Sequence, residues 1–596
     1  MPPVRRPLGK SLVLLNFVGF RVADPVIDIT EVREARRQGG PPIDGKFIRK
    51  CLANNERGDG VLFATLHRDA FIFNKATGAW LKYTGHHWDL DHFNEAFSGV
   101  EPVAVKYLDE AEKLTPLVDD ARDKFQAAKA TQKRADKAYH AAQKTEEGVT
   151  KAKADLVEAD LSLEKAEAHF DSIEAEHKAF MRRVERLRSV RGAQNCLTWS
   201  HCIEQPLACK GDEFDRQPWL LPCDNGVIDL RTGKLRPGHP SDMLMRAIQV
   251  DWPADFPGLD AYLRCEPGAA SPCPEWERFF AEIHQNDLEI VDFHGRYLGY
   301  TATGLTHEQY YLCWVGDGAN GKGVMGDILA EILGPLAWDI SPELILEQKN
   351  SRGSSGPSAD LVSLMGRRLV IASEPDENRR ISAAMIKRLT GQERITARSP
   401  HDKYEITFEP AFKLIFRTNN VPHGLTKDFA MVRRLIYIHF PLMYVEEPES
   451  EAASKPQQAH LFRRKDGGLR DRLRKEKPGI LAWLVRECLK YRRDGLSPPD
   501  KIRAAVEDLR RQEDHLGRFI EECCERTDPG DWIMFKEFYG TFKKWYEDNV
   551  DDRKGGEKYF PSKKSCSAQL VKKGFERQQH GGQTYIYGLR IPFAPE

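Results

Sequence analysis

Hydrophobic residues recur at every third or fourth position along residues 117–190, and this rhythm predicts two long helices. It includes Phe125 and Phe170 and is interrupted at Gly148. Such spacing aligns apolar side chains along one stripe of each helix, as in a coiled coil. We therefore predict an antiparallel coiled-coil hairpin over 117–190, with Pro116 in the first turn of its first helix. The hairpin serves either as a spacer or subunit clamp, which is the simpler interpretation, or as an arm for a partner protein.

Short apolar segments between turns predict small sheets on both sides of this hairpin. Residues 62–73 have the pattern of two strands, and residues 80–88 have that of a strand hairpin. Residues 225–235 place Asn-Gly and Thr-Gly turns around a short strand, which is the pattern of another hairpin. We expect an α+β N-terminal module over 46–274, preceded by a leader, 1–45, to which we assign no structure.

A strand, a glycine-rich turn and a helix are predicted between residues 310 and 333. The turn matches the pattern GxxxxGK[ST] except at its last place, where Gly323 replaces Ser or Thr. Such a turn directs backbone N–H groups and a helix N-terminus at one point and so cradles phosphates. Lys322 adds a positive charge for the β- and γ-phosphates, so the turn predicts a site for ATP with Mg²⁺. The expected lining is Gly316, Asp317, Gly318, Ala319, Asn320, Gly321, Lys322, Gly323 and Val324.

Two further apolar runs end in polar residues suited to ATP hydrolysis. The run 369–373 precedes Glu374, which we predict to activate the attacking water and to contribute to the metal site. The run 412–416 is followed closely by Asn419. An amide at a strand tip beside the phosphates can hold that water and sense the γ-phosphate, so Asn419 is the candidate for this role.

An arginine pair, Arg433 and Arg434, precedes a further predicted strand over 435–440. In a ring of subunits, an arginine in this place can reach the γ-phosphate held by the adjacent subunit and stabilise transition-state charge. The sequence does not distinguish the two arginines. With the preceding motifs, they define a predicted ATPase domain over 275–445.

Basic and aromatic residues between these strands are candidates for DNA contact. The segment 399–404 has the composition of a hairpin tip. Positive and aromatic groups at such a tip suit phosphate contact and base stacking on a single strand. The predicted contact residues are Lys387, Arg398, His401, Lys403 and Tyr404.

The C-terminal part is predicted to be a polar loop and helical tail over 446–525, then a winged helix over 526–596. In the latter, an aromatic helix, a basic helix and a β-hairpin follow one another, an order that places the second helix in a DNA groove. A winged helix that binds protein is the alternative. The basic residues that favour DNA are Lys563, Lys564, Lys572 and Lys573.

The overall composition argues against a membrane-spanning protein and against a zinc site. The 596 residues carry a net charge of −1, so any DNA-binding surface must come from local clusters. No apolar run reaches about 18 residues, and no transmembrane helix is predicted. Twelve scattered cysteines without a CxxC pair argue against a zinc site and favour a reducing cytoplasm.

The order of these motifs resembles that of the superfamily 3 helicases, and more closely the helicase half of the poxvirus and phage/plasmid primase–helicase family. The resemblance implies a multidomain α/β protein whose AAA+-type P-loop core has a parallel sheet between helices. It also implies a homo-hexameric ring that moves along single-stranded or forked DNA using ATP, in the replication of a phage, prophage or plasmid-like element. The residues that carry it are 320–322, 373–374, 386–391, 418–419 with Pro422, and 433–434.

The chain departs from the family pattern in three places. Gly323 lacks the hydroxyl that usually binds Mg²⁺, and residues 391–393 read Gly-Gln-Glu where the family has Gly-Gly-Asp. Only about 45 residues precede the familial region, too few for the primase–polymerase domain, so we expect no primer synthesis by this chain. If the coiled-coil hairpin is an arm for a partner protein, a separate primase or replisome protein is a candidate for that partner. Two other functions stay open: a replisome scaffold without ATP turnover, and an ATPase switch of an antiviral defence system.

Overall fold

The computed structural model describes residues 43–347, 358–373, 381–398, 405–419, 425, 428–550 and 560–592. The chain forms two compact units. The helical unit comprises residues 43–66 and 100–200, and the mixed unit comprises residues 67–99 and 201–592.

The helical unit contains a long antiparallel helix pair. Its helices are α1 (Gly45–Ala53), α2 (Asn55–Leu66), α3 (Glu101–Thr145), α4 (Val149–Leu187) and α5 (Val190–Ser200). Phe125 of α3 stacks on Phe170 of α4 with 5.7 Å between ring centroids. Further along α3, Gln132 Nε2 donates to Asp160 Oδ1 at 3.0 Å, so contacts follow opposite directions along the two helices. The two long helices and the turn before Val149 cover the segment over which the coiled-coil hairpin is predicted.

The start of the first long helix differs from the prediction. α3 begins at Glu101, so Pro116 lies inside the helix and the expectation that it occupies the first turn is wrong. An interior proline costs about 3 kcal/mol because it removes one helical hydrogen bond. Leu114 and Val118, two residues to either side of it, are buried, and burial of their side chains favours the continuous helix.

Helix α2 replaces the first of the two strands predicted over residues 62–73. Two glycines allow neighbouring helices to approach it closely: a Cβ at Gly58 would lie 1.8 Å from the Cys51 carbonyl oxygen, and one at Gly60 would lie 2.6 Å from Trp199 Cβ. The helix is therefore buried on several sides. Its continuous apolar run at 62–64 resembles a strand because a short run of this kind has no helical period.

A buried ion pair connects α2 to α4. Arg183 Nη1 donates to Asp59 Oδ2 at 2.9 Å, Arg183 Nη2 donates to Asn55 Oδ1 at 2.9 Å, and Tyr107 donates to Asp59 Oδ1 at 2.9 Å. Burial raises the pKa of Asp59, which opposes the effect of the nearby Arg183 charge. The polar residues of this segment thus hold the base of the long helix pair in place.

The mixed unit begins with two small sheets. The first contains β1 (Phe71–Asn74), β2 (Ala79–Tyr83), β3 (Trp88–Leu90) and β4 (Ala208–Cys209) in the order β3-β2-β1-β4. The second contains β5 (Leu220–Cys223), β6 (Gly226–Asp229) and β7 (Lys234–Arg236), paired antiparallel in that order. The hairpins predicted over 80–88 and 225–235 are confirmed by the β2–β3 and β6–β7 pairs.

A five-stranded parallel sheet forms the centre of the mixed unit. Its strands are β8 (Tyr311–Val315), β9 (Ala337–Ile340), β10 (Leu369–Ala372), β13 (Lys413–Thr418) and β14 (Leu435–His439). They lie in the order β14-β8-β13-β10-β9, and every neighbouring pair is parallel. β9, which follows β8 along the chain, is therefore not the neighbour of β8 in the sheet. Instead, β13 lies between β8 and β10.

Helices cover both faces of this sheet because successive side chains of a strand point to opposite faces. Leu312 and Trp314 of β8 join one core with Ile328 of the helix Lys322–Leu333, while Tyr311 and Cys313 join the other. The predicted α/β core with a parallel sheet between helices is confirmed.

The α-helices of five or more residues in the described mixed unit are α6 (Leu259–Leu263), α7 (Pro274–Ile283), α8 (Leu288–Thr301), α9 (Lys322–Leu333), α10 (Ala383–Thr390), α11 (Pro448–Ser454), α12 (Leu469–Lys475), α13 (Lys477–Asp494), α14 (Asp500–Glu513), α15 (His515–Cys523), α16 (Phe535–Asn549) and α17 (Lys563–Lys572).

Short strands complete the unit. They are β11 (Ile395–Ala397), β12 (Ile406–Phe408), β15 (Met443–Val445), β16 (Phe462–Arg464), β17 (Glu525–Arg526), β18 (Trp532–Met534), β19 (Glu576–His580), β20 (Gln583–Tyr587) and β21 (Leu589–Arg590). β15 pairs in parallel with β16, and α11 lies between them. The segment 446–470 is therefore not only a loop as predicted, since Pro448 and the acids after it start a helix there.

The C-terminal elements follow the predicted order of helix, helix and hairpin. β18, β20 and β19 form an antiparallel sheet beside α16 and α17. The β19–β20 turn is Gly581–Gly582, with φ of +59° and +79°, which glycine adopts without steric cost.

Candidate nucleotide-binding site

The parallel sheet brings the predicted ATPase segments to one edge. Val315, the last residue of β8, pairs with Thr418 of β13 and with His439 of β14. Ala372, the last residue of β10, pairs with Phe416 of β13. Because parallel strands end at the same edge, the glycine-rich loop, Asn419 and the residue after Ala372 all follow this edge.

Lys322 is the first residue of α9, and its side chain is buried at this edge. Its ammonium donates to the carbonyl oxygen of Gly316, to that of Thr418 at 2.9 Å and to Asn419 Oδ1 at 3.4 Å. Two of these three acceptors are backbone oxygens. Sequence reasoning missed them because a carbonyl group carries no residue-specific signal, although the predicted strand ends could have placed them.

The backbone of the loop is specialised at three positions. Gly318, Ala319 and Gly321 have φ of +92°, +47° and +87°. A Cβ at Gly321 would also lie 2.7 Å from Ile283 Cγ2, so this glycine is required by both conformation and space. The Ala319 carbonyl accepts a 2.7 Å hydrogen bond from the amide of Tyr444, which fixes the outer part of the loop.

The N-terminus of α9 points out of this loop. Its capping residue, Gly321, makes no side-chain cap, and Asn320 Oδ1 accepts from the Lys322 amide at 3.4 Å. The amides of a helix N-terminus, together with the helix dipole, favour an anion. Next in the helix, Gly323 has nothing within 4 Å of the place where a Cβ would stand. The missing hydroxyl is therefore not excluded by the surrounding structure.

Asn419 is exposed, and its side chain lies within reach of Lys322, as the sequence prediction requires. Glu374, the predicted water-activating and metal-binding acid, lies outside the described residues. The residue before it, Ser373, is described, and its Oγ accepts from Arg417 Nη2 at 3.4 Å. Arg417 also pairs with Asp327 of α9 at 3.0 Å. This arginine was not among the predicted site residues, although it stands two positions before Asn419.

The two candidate arginines differ in burial and in their hydrogen bonds. Arg434 is buried, and its guanidinium donates to the Ala430 carbonyl at 3.0 Å and to Gln309 Oε1 at 3.1 Å. Burial, with the neighbouring Arg433 charge, lowers its pKa. Arg433 is exposed, at the end of the short helix Phe429–Val432. Of the two, Arg433 is the one presented to solvent.

The residues predicted to contact DNA in this domain are distributed over several elements. Lys387 of α10 forms an ion pair with Asp428, and this hydrogen bond lowers the pKa of Asp428. Arg398 follows β11, which pairs antiparallel with β12. His401, Lys403 and Tyr404 lie outside the described residues. The two strands that lead into and out of their segment are those expected for a hairpin.

The four C-terminal lysines differ in their surroundings. Lys564 and Lys572 are exposed on α17. Lys563 is exposed too, with its ammonium 5.7 Å from the centre of the Tyr539 ring. Lys573 instead pairs with Asp514. Three of the four lysines are therefore directed to solvent, and the fourth is engaged in an intramolecular contact.

Basic residues of α12 and α13 connect to the helix that begins at Lys322. Arg470 pairs with Asp327 at 2.6 Å, while Arg474 and Lys477 pair with Glu331, each at 2.8 Å. The hydrogen bond from Arg474, with the adjacent Lys477, lowers the pKa of Glu331 to about 2. These basic residues therefore anchor α9 through intramolecular ion pairs.

Within the described residues, no group of three or more His, Cys, Asp or Glu is placed to hold a metal ion. None of the helices described is long and apolar enough to cross a membrane.

Comparison with known proteins identifies the relatives of this fold and site. The "D5 N terminal like" family model matches residues 60–285, which end before the glycine-rich loop. Three viral proteins are similar to the chain over more than half of its length. They are "Putative helicase L207/L206" of Acanthamoeba polyphaga mimivirus (27% identity, 56% of this chain, 34% of the relative), "Putative helicase 022R" of Frog virus 3 (25%, 57%, 40%) and "Putative helicase 184R" of Invertebrate iridescent virus 6 (23%, 58%, 36%).

These matches confirm the resemblance drawn from the motifs: the chain is similar to the D5-like helicases. The chain spans roughly a third to two fifths of the length of these curated relatives. Among solved structures, the A form apo structure of the NrS-1 C terminal region aligns with a TM-score of 0.32 at 12% identity, covering 60% of this chain and 88% of that one. A structural likeness this distant supports no functional conclusion.

Proposed function

We propose that this protein is an ATP-dependent, ring-forming DNA helicase that acts in the replication of a phage, prophage or plasmid-like element. The observation that carries the proposal is the position of Lys322, whose buried ammonium joins the glycine-rich loop to the end of β13. A lysine held at that junction, beside the amides of the glycine-rich loop and of the helix N-terminus, offers positive charge and N–H donors to one polyphosphate.

The residues at the sheet edge fit a nucleotide with its metal. Lys322 and the loop amides bind the phosphates, Asn419 senses the γ-phosphate, and Glu374 orients or deprotonates water. Gly323 brings no oxygen ligand, so Mg²⁺ would be held by phosphates, water and Glu374, and when bound it neutralises charge on the phosphates.

Assembly into a ring completes this site in the proposal. Arg433 is exposed, whereas Arg434 is buried and bonded within its own subunit. We therefore assign the trans-acting role to Arg433. An exposed guanidinium supplied by the adjacent subunit stabilises the charge that develops on the transferred phosphoryl group.

DNA contact is assigned to two surfaces. In the ATPase domain, ATP-dependent movement of the segment 399–404 between β11 and β12 pulls one strand through the ring. In the C-terminal region, the exposed lysines of α17 and the β19–β20 wing form a winged helix that contacts duplex phosphates.

Steady-state ATPase and forked-DNA unwinding assays test the proposal. Both activities are expected in the wild type, with ATPase stimulated by single-stranded DNA, and both are lost in Lys322→Ala. Lys501→Ala is the matched control, because Lys501 pairs with Asp287 and Glu289 on the protein surface and should leave both activities unchanged. Full unwinding by Lys322→Ala would refute the mechanism.

One observation favours a second function. Because Gly323 supplies no metal ligand, a DNA-bound scaffold that binds ATP without turning it over is the alternative. Nucleotide binding in the wild type with no ATPase under any DNA condition would establish the scaffold and reject the motor.

A further inference from the structure

A thiol, an imidazole and an ammonium group meet on the mixed unit. Cys202 is exposed, and its Sγ lies 3.3 Å from His201 Nδ1 and 3.8 Å from Lys75 Nζ. The Lys75 ammonium lies 2.7 Å from the same nitrogen of His201. Neither the motifs nor the proposed helicase function uses these three residues.

The strand β1 and its neighbours fix this cluster. The His201 ring stacks on Phe73 with 4.0 Å between centroids and an interplanar angle of 10°. The Trp80 ring lies edge-on to His201, with 5.8 Å between the ring centroids. Lys75 follows β1 directly, and its backbone amide donates to the Cys209 carbonyl at 3.0 Å. The ring and the base of the lysine side chain are therefore held by a sheet, and not by a loop alone.

The proton positions follow from the donor and acceptor roles of these groups. An ammonium has only donors, so His201 Nδ1 must accept from Lys75, which leaves the imidazole neutral with its proton on Nε2. Burial, with the Lys75 charge, lowers the pKa of His201 and keeps it in this acceptor form. A second N–H of Lys75 remains available to the Cys202 sulfur.

We propose that Cys202 is a reactive thiol, a modification site for soft electrophiles and hydroperoxides, in which Lys75 stabilises the thiolate and His201 positions Lys75. The thiolate is the reactive form of cysteine, and an adjacent cation favours it. With hydrogen peroxide, the thiolate sulfur forms an S–O bond as the O–O bond breaks. Sulfur is oxidised by two electrons to a sulfenic acid, and the hydroxide released takes a proton from solvent to give water.

The chain supplies its own control thiol. Of the twelve cysteines, Cys202 and Cys265 are exposed, and the other ten are buried or partly buried. In the described part of the chain, no hydrogen bond joins Cys265 to a lysine or histidine, and its charged neighbour is Arg493, with which it interacts electrostatically. Both thiols are therefore exposed, and Cys202 differs from Cys265 in its direct contacts with an ammonium and an imidazole.

The test is the rate of alkylation of each cysteine in the full-length protein. Limiting iodoacetamide at neutral pH, followed by peptide mass spectrometry over time, should modify Cys202 about tenfold faster than Cys265. Lys75→Met should remove most of this advantage and Lys75→Arg should retain it, with the Cys265 rate unchanged in both. Equal rates at the two cysteines, or a Lys75→Met rate equal to that of the wild type, would overturn the proposal.

Two variants of His201 test the positioning role. His201→Asn keeps an acceptor oxygen close to the place of Nδ1 and should preserve the Cys202 rate, whereas His201→Phe keeps a ring but no acceptor and should slow it. Equal loss in both variants would reject the role of Nδ1. Peroxide treatment with dimedone trapping should label Cys202 first, and labelling of Cys265 at the same rate would reject its selectivity for peroxides.

Discussion

The Lys322 ammonium donates a 2.9 Å hydrogen bond to the carbonyl oxygen of Thr418, so the first residue of α9 meets the last residue of β13. This contact joins the glycine-rich loop to the strand that is inserted between β8 and β10. Any group bound at the loop is therefore adjacent to Asn419, the next residue. The proposed binding and sensing roles depend on this adjacency.

Restoring the missing hydroxyl of the loop motif should strengthen metal use. Gly323→Ser places its side chain in open space, so we expect normal folding and a lower Mg²⁺ concentration for half-maximal ATPase, by about threefold to tenfold. Magnesium titrations of ATPase activity measure this change. Gly323→Ala controls for helix propensity, which favours both variants over glycine.

A serine at Gly321 is the matched variant, because Gly321 is closely surrounded and Gly323 faces open space. Gly321→Ser should weaken nucleotide binding, because the φ of this residue is +87° and its Cβ would lie 2.7 Å from Ile283 Cγ2. Equal nucleotide binding by Gly321→Ser and Gly323→Ser would contradict the described loop geometry.

Replacing Arg433 should lower ATPase activity, whereas replacing Arg434 should lower thermal stability. Arg433→Ala is expected to lower ATPase activity about a hundredfold or more while leaving thermal stability unchanged, because the exposed guanidinium acts on a neighbouring subunit. Arg434→Ala should lower the melting temperature, because the side chain is buried and holds Ala430 and Gln309. Activity and melting curves of both variants decide the assignment, and an unstable Arg433→Ala protein would reverse it.

The buried Asp59–Arg183 pair should hold the base of the long helix pair. Asp59→Asn leaves a buried guanidinium without its carboxylate and should lower the free energy of local opening by about 3 kcal/mol. Hydrogen exchange of α2 peptides measures this opening. Glu176→Gln breaks the exposed pair with Arg49 and should cost below about 1 kcal/mol, so equal effects would refute the structural role.

The stability contributed by Glu331 should depend on pH. Its folded-state pKa is about 2, below the ordinary value of 4.5, so its stabilisation is fully present above pH 4.5 and declines as the pH falls towards 2. The difference in melting temperature between wild type and Glu331→Gln should therefore be largest above pH 4.5. A difference that grows between pH 4.5 and pH 3 would contradict the ion pairs with Arg474 and Lys477.

The sequence predicted the central fold because its strands are fully buried and each ends in a recognisable loop. The runs at 311–315 and 369–372 are continuous apolar segments bounded by glycine or polar residues, which is typical of parallel strands. The prediction was wrong at 62–66, where a helix buried on several sides has no helical periodicity of apolar residues. It was also wrong at Pro116, where packing of the long helix outweighed the preference of proline for a first turn.

The candidate site was predictable only as far as residue types identify it. Lys322 and Asn419 follow from motif spacing, and the structure places their side chains 3.4 Å apart. The carbonyl of Thr418 and the pairing of Arg417 with Asp327 depend on which strands are neighbours, which spacing alone does not give. The choice between Arg433 and Arg434 likewise required burial.

Equilibrium binding of ATP with Mg²⁺ to the wild type and to Lys322→Met, measured by titration calorimetry, tests the nucleotide site without relying on turnover. Methionine keeps the length and apolar stem of the lysine but removes its charge. We expect binding to the wild type and at least about a tenfold loss in the variant, since one charge-assisted contact to phosphate contributes more than about 1.4 kcal/mol. Equal affinity in the two proteins, or no binding in the wild type, would contradict a nucleotide site at this loop.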